Sequence, residues 1–151
     1  MDSRKIKSLI SEIAESVVSV APDGWVEVGL NSVNVALFQK ISAPVLLEGG
    51  EIYDNVSRIS SSTMKAVRAL REEMYESGKG TWYSMGIVVT KEGKYRVEYN
   101  YNEPLSVDLP IPDNYYALDL NFFPRDVNYI PEWVAKKIEK VNKKIERGGD
   151  I

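Results

Sequence analysis

The spacing of apolar residues changes along this chain from helical to strand-like and back, so neither an all-helical nor an all-strand architecture fits it. From Ser3 to about Val20, Ile6, Leu9, Ile10, Ile13, Val17 and Val18 recur every three or four residues. That spacing gathers them on one helical face, with Lys7, Ser11, Glu12, Glu15 and Ser16 opposite. Asp2 or Ser3 can cap the start, and Pro22-Asp23-Gly24 ends the helix. The period then falls to two. Trp25–Leu30 and Val33–Ile41 read as strands joined by a turn at Asn31-Ser32, and Val45–Leu47 adds a short third strand. Glu51–Ile59 fits either an edge strand or a connecting loop.

Helical spacing returns after the capping run Ser60-Ser61-Ser62-Thr63. Met64, Val67, Leu70, Arg71 and Met74 predict a second helix over Ser61–Ser77, closed by Gly78-Lys79-Gly80. Thr81–Thr90 and Lys94–Asn102 are rich in aromatic and β-branched residues and predict a hairpin. Its turn, Lys91-Glu92-Gly93, puts glycine where a positive φ is needed. Five of the seven prolines lie between Pro104 and Pro131, which disfavours a long regular element there and leaves a short strand at Tyr115–Phe123. A last helix runs from Pro131, as its first position, to about Arg147, with Val134, Ile138, Val141 and Ile145 on one face and Gly148-Gly149 at its end. The 151 residues make one α+β domain, 1–151. Its antiparallel sheet has about five or six strands, flanked by an N-terminal, a central and a C-terminal helix.

Two absences narrow the function. With no Cys and no His, disulfides, thiol nucleophiles, Cys/His zinc sites and Ser-His or Cys-His pairs have no residues to form them. Catalysis would have to run on Asp, Glu, Lys, Tyr or Ser, so the sequence reads as a non-enzyme without cofactor. The net charge of −3 lacks the cationic footprint of a nucleic-acid binder. No stretch approaches the ~20 apolar residues that span a bilayer, and the expected location is cytoplasmic.

Charge is unevenly placed. Residues 98–130 hold six acids, Glu98, Glu103, Asp108, Asp113, Asp119 and Asp126, against one base, Arg125. Their spacing matches no calcium loop, so no metal site is assigned. A solvated acidic face or a surface for a basic protein fits them. In the second hairpin strand Tyr95, Val97, Tyr99 and Tyr101 alternate with Arg96, Glu98, Asn100 and Asn102. The aromatic face suits the core, and the polar face, beside the acidic segment, suits a contact. Lys65, Arg68 and Arg71 on the second helix and the lysines of the last read as solvated charge. Trp25, Trp82 and Trp133 read as packing residues whose N–H groups reach a partner.

The run Glu73-Met74-Tyr75-Glu76-Ser77-Gly78-Lys79-Gly80-Thr81-Trp82-Tyr83-Ser84-Met85, followed by Gly93-Lys94-Tyr95-Arg96-Val97-Glu98-Tyr99-Asn100-Tyr101, resembles the YezG-like antitoxin family. The resemblance is carried by Ser61–Pro104 and is weaker over residues 1–41. Beyond Pro104 the chain departs from the family pattern and adds the basic helix. The resemblance implies an immunity protein that binds and neutralises a cognate polymorphic or contact-dependent toxin, typically a bacterial nuclease. Such a toxin is cationic because it must hold phosphates, and an acidic inhibitor surface complements it. The contact residues expected on this reading are Glu98, Asn100, Asn102, Glu103, Asp108, Asp113 and Asp119, with Tyr99 or Tyr101 as an aromatic anchor if exposed. The alternatives are a small carboxylate- or metal-dependent enzyme, and a non-catalytic adaptor that self-associates through a sheet edge or its last helix.

Overall fold

A computed structural model describes residues 2–147. In chain order the elements are α1 (Ser3–Ser19), β1 (Trp25–Val35), β2 (Phe38–Ser42), β3 (Pro44–Leu47), β4 (Ile52–Asp54), α2 (Ser61–Glu73), β5 (Ser84–Thr90), β6 (Tyr95–Asn100), α3 (Asp113–Phe122) and α4 (Glu132–Glu146). The strands form one six-stranded antiparallel sheet in the order β4-β3-β1-β5-β6, with β2 paired to β1 beyond β3. The α+β class with N-terminal, central and C-terminal helices is as expected from the sequence.

Local chemistry accounts for the element ends. The Asp2 carboxylate accepts from the N–H groups of Arg4 and Lys5, and Ser60 Oγ accepts from Thr63 N–H. Gly93 turns the β5–β6 hairpin at φ 88°. α1 and α2 then lay one stripe each on the same face of the sheet. Ile13 and Val17 from α1 and Val67 and Leu70 from α2 bury Val28 and Leu30 of β1 and Ile87 of β5. Each such side chain contributes roughly 1.5–3 kcal/mol by leaving water. A second cluster joins Val35 and Tyr83 to Tyr116 of α3 and Val134 of α4.

Four expectations are corrected. Asn31 and Ser32 do not turn the chain: β1 runs straight through them, pairing Asn31 with Gly86 and Ser32 with Met85. The turn falls at Ala36-Leu37, where Ala36 takes φ 51° and its N–H donates to Asp119 Oδ1 at 2.6 Å. A strained non-glycine turn is thus fixed from a distant element. The predicted strand Tyr115–Phe123 is instead helix α3. Tyr116, Asp119 and Leu120 share its inward face, and a carboxylate at a buried position hides the helical period from a hydrophobic count. α2 stops at Glu73, because Glu76 and Gly80 bond to each other in a separate turn (2.9 and 3.1 Å). Trp133 Nε1 donates to the Asn102 carbonyl at 2.7 Å, but Trp82, fully buried, leaves its Nε1 without a partner among the described residues. Glu51–Ile59 is both an edge strand, β4, and a 3-10 turn at Val56–Arg58. Pro131 caps α4 from just outside its first turn. The expected stop at Gly148-Gly149 lies outside the described residues.

Candidate functional site

α1 and α2 cover one face of the sheet, and strand alternation sends the remaining side chains to the other. The register aligns them in rows across β1, β5 and β6: Gly29, Val88 and Arg96; then Asn31, Gly86 and Glu98; then Val33, Ser84 and Asn100. Val33 and Val88 belong to neither apolar cluster, so this outer face has no helix packed on its centre. Two of its positions are glycines. A Cβ at Gly29 would lie 2.5 Å from the Ile87 carbonyl oxygen, and one at Gly86 would lie 2.7 Å from Asn31 Oδ1. The bare backbone of Gly86 lowers the floor of a shallow groove of about 370 Å³ walled by Asn31, Ser84, Glu98 and Asn100.

Glu98 stands exposed on this face beside exposed Arg96. Asn100 ends β6 with a side chain that is already committed. Its Oδ1 accepts from the N–H groups of Asn102 (3.2 Å) and Glu103 (2.8 Å), and its Nδ2 donates to the Glu103 carbonyl at 2.9 Å. This Asx-type turn holds exposed Glu103 close to the end of the strand that carries Glu98. Asn102 is held from three directions: by Asn100, by Trp133 Nε1 on its carbonyl, and by Arg125 Nη1 on its Oδ1 at 3.4 Å. Asp108 follows on an exposed loop. The structure therefore brings Glu98, Asn100, Asn102 and Glu103 to one end of the sheet.

The other expected contacts fall elsewhere. Asp113 starts α3 and pairs with Lys137 of α4 at 3.4 Å. Asp119 is buried, and its carboxylate is consumed by Arg71, which reaches Oδ1 at 2.7 Å and Oδ2 at 2.8 Å, and by Ala36 N–H. Interior placement removes Asp119 from any contact surface. Tyr99 and Tyr101 pack against the main core instead of standing with Glu98. The Tyr99 and Trp82 ring centroids lie 6.1 Å apart. Burial pushes its hydroxyl up to about 12, helped by the neighbouring Tyr101 and Tyr95. Tyr101 is also raised, by burial first and then by Glu76. Among the described residues Glu98, Glu103, Asp108 and Asp126 make no ion pair. No Lys or Arg occurs between Val97 and Pro124 to offset the first three.

Sequence reasoning missed what holds this end in place. Arg71, read as solvated charge, is 3% exposed; besides gripping Asp119 it donates Nε to the Trp82 carbonyl at 2.7 Å. Its signal was its place in the apolar period of α2. Arg125, the lone base of the acidic segment, donates to the carbonyls of Thr81 (2.8 Å), Tyr101 (3.1 Å) and Tyr129 (2.9 Å). Its guanidinium also sits 4.8 Å from the Tyr83 ring centroid. Gly80 makes room for it, since a Cβ there would run into Arg125 Nε. Arg125 and Trp133 thus clamp the root of the acidic loop to the body of the protein.

Among the described residues, no three Asp, Glu, His or Cys side chains gather closely enough to hold a metal ion. Among those same residues no helix is long and apolar enough to cross a membrane. A family model for YezG-like immunity proteins matches residues 50–132. It spans β4, α2, the β5–β6 hairpin and α3, so the likeness extends past Pro104, where the sequence reading had placed its limit. A comparison with curated proteins returns no match.

Proposed function

The chain belongs to the YezG-like immunity protein family, and from that premise we propose that it neutralises a cognate protein toxin by forming a stoichiometric complex, without catalysis. The observation that carries this reading is an uncovered sheet face bordered by acids that make no ion pair among the described residues. Glu98 and Glu103, with Asp108 on the adjoining loop, offer carboxylates to a cationic partner, and the Gly86 groove admits a side chain between Asn31 and Glu98. A nuclease is the toxin class these charges suit best, because a phosphate-binding cleft must be basic. The neutralised toxin then acts in the compartment that this protein occupies, which on this reading is the cytoplasm.

Steering by exposed charge raises association rates and is screened by salt. The test is kinetic, using the protein that co-purifies with this chain from its native cells at one-to-one stoichiometry. Joint replacement of Glu98→Lys and Glu103→Lys should slow association about tenfold and flatten its dependence on ionic strength. An unchanged association rate would move the contact away from this face, and a captured protein without toxicity would remove the function.

A further inference from the structure

β6 ends the sheet, and its outer edge has no partner strand among the described residues. Thr90 N–H donates to the Lys94 carbonyl at 2.8 Å. The alternation of an antiparallel ladder then directs the main-chain groups of Lys94, Arg96, Glu98 and Asn100 toward β5, and those of Tyr95, Val97 and Tyr99 outward. No loop among the described residues bonds to these outward groups. The strand also has neither the proline nor the bulge that commonly blunts a free edge. The opposite edge, Ile52–Asp54, is a three-residue strand, and Asp54 Oδ1 already accepts from Ala43 and Val56.

We propose that the β6 edge pairs with the same edge of a second copy, antiparallel about a two-fold axis at Val97. Centring at Val97 uses the groups that point outward: Val97 bonds with the partner subunit's Val97, and Tyr95 with the partner subunit's Tyr99. On the outer face the same register sets Arg96 against the partner subunit's Glu98, and Glu98 against the partner subunit's Arg96. Other centres lose this match. An axis at Arg96 or at Glu98 opposes like charges, and one at Tyr95 sets Arg96 against the partner subunit's Lys94. The interface is isologous and joins the two sheets edge to edge. Beside the same edge lies an apolar groove of about 440 Å³, lined by Ala14, Val18, Val89 and Tyr95. Val18 and Tyr95 are 36% and 46% exposed there, and the added strand would shelter them.

Sedimentation velocity of the full chain over a concentration series, without toxin, tests the pairing independently of the immunity reading. A monomer–dimer equilibrium is expected. Arg96→Glu alone, or Glu98→Arg alone, opposes like charges at both symmetric sites and should weaken the dimer about tenfold. The double exchange of both residues should restore it. Amide exchange at Tyr95, Val97 and Tyr99 should slow as the dimer forms. A chain that stays monomeric throughout the series would overturn the proposal. So would a dimer indifferent to both single reversals, or one that the double exchange fails to rescue.

Discussion

Arg71 and Asp119 meet in the interior, each side chain 3% exposed. Removing one member leaves the other as an uncompensated buried charge, which typically costs about 3–5 kcal/mol. Asp119→Ala should lose that much in urea unfolding with an unchanged m-value, and it also frees the positive-φ turn at Ala36. Replacing both residues by apolar ones should cost less than the single change. Tyr83 governs a different condition. Burial raises its hydroxyl from an ordinary 10.0 to about 12, while Arg125 works in the opposite direction. A folded-state value above the unfolded one means that the folded form resists deprotonation. The contribution is therefore intact below pH 10 and is lost as pH climbs toward about 12. Tyr99 and Tyr116, also raised to about 12 by burial, act in the same window. Tyr83→Phe should soften the alkaline loss in denaturation curves. Near neutrality it should change stability by no more than about 1 kcal/mol, because the buried hydroxyl has no partner among the described residues.

Among the elements, the Gly78–Thr81 link decides whether α2 can feed the hairpin while leaving room for the Arg125 clamp. Gly80 has φ 89° and faces Arg125, whereas Gly93 has φ 88° and nothing within 4 Å of a built Cβ. Gly93→Ala should therefore cost about 1–2 kcal/mol from backbone strain alone. Gly80→Ala should cost more, about 2–4 kcal/mol, because the guanidinium must also move. Thermal unfolding of the two variants separates the effects. Elements with an uninterrupted period were legible in the sequence: α1 from its apolar stripe, β5 and β6 from alternation and the Gly93 turn. α3 was not, because its inward face contains Asp119, whose partner Arg71 lies 48 residues earlier. β1 was split in the reading because Asn31-Ser32 has turn chemistry, and only pairing on both sides shows that the residues lie mid-strand.

Over the whole molecule, the sheet separates work between its faces. The inner face carries the core, the Arg71–Asp119 and Arg125 contacts fasten α3 and the chain leading to α4 to the sheet end, and the centre of the outer face is left uncovered. The polar outer row of β6 was legible from alternation in a single strand. The Gly86 groove was not, since it depends on the register between strands distant in sequence. Acidity alone overstated the surface: Asp113 and Asp119 are matched by Lys137 and Arg71 in the fold. Glu98, Glu103 and Asp108 are what carry the proposed attraction. The most direct measurement is growth of cells expressing the captured partner with and without this chain. The account predicts arrest by the partner alone, rescue by the wild-type chain, and weaker rescue when Glu98→Lys and Glu103→Lys are combined. Arrest that persists in the presence of the folded wild-type chain would contradict it.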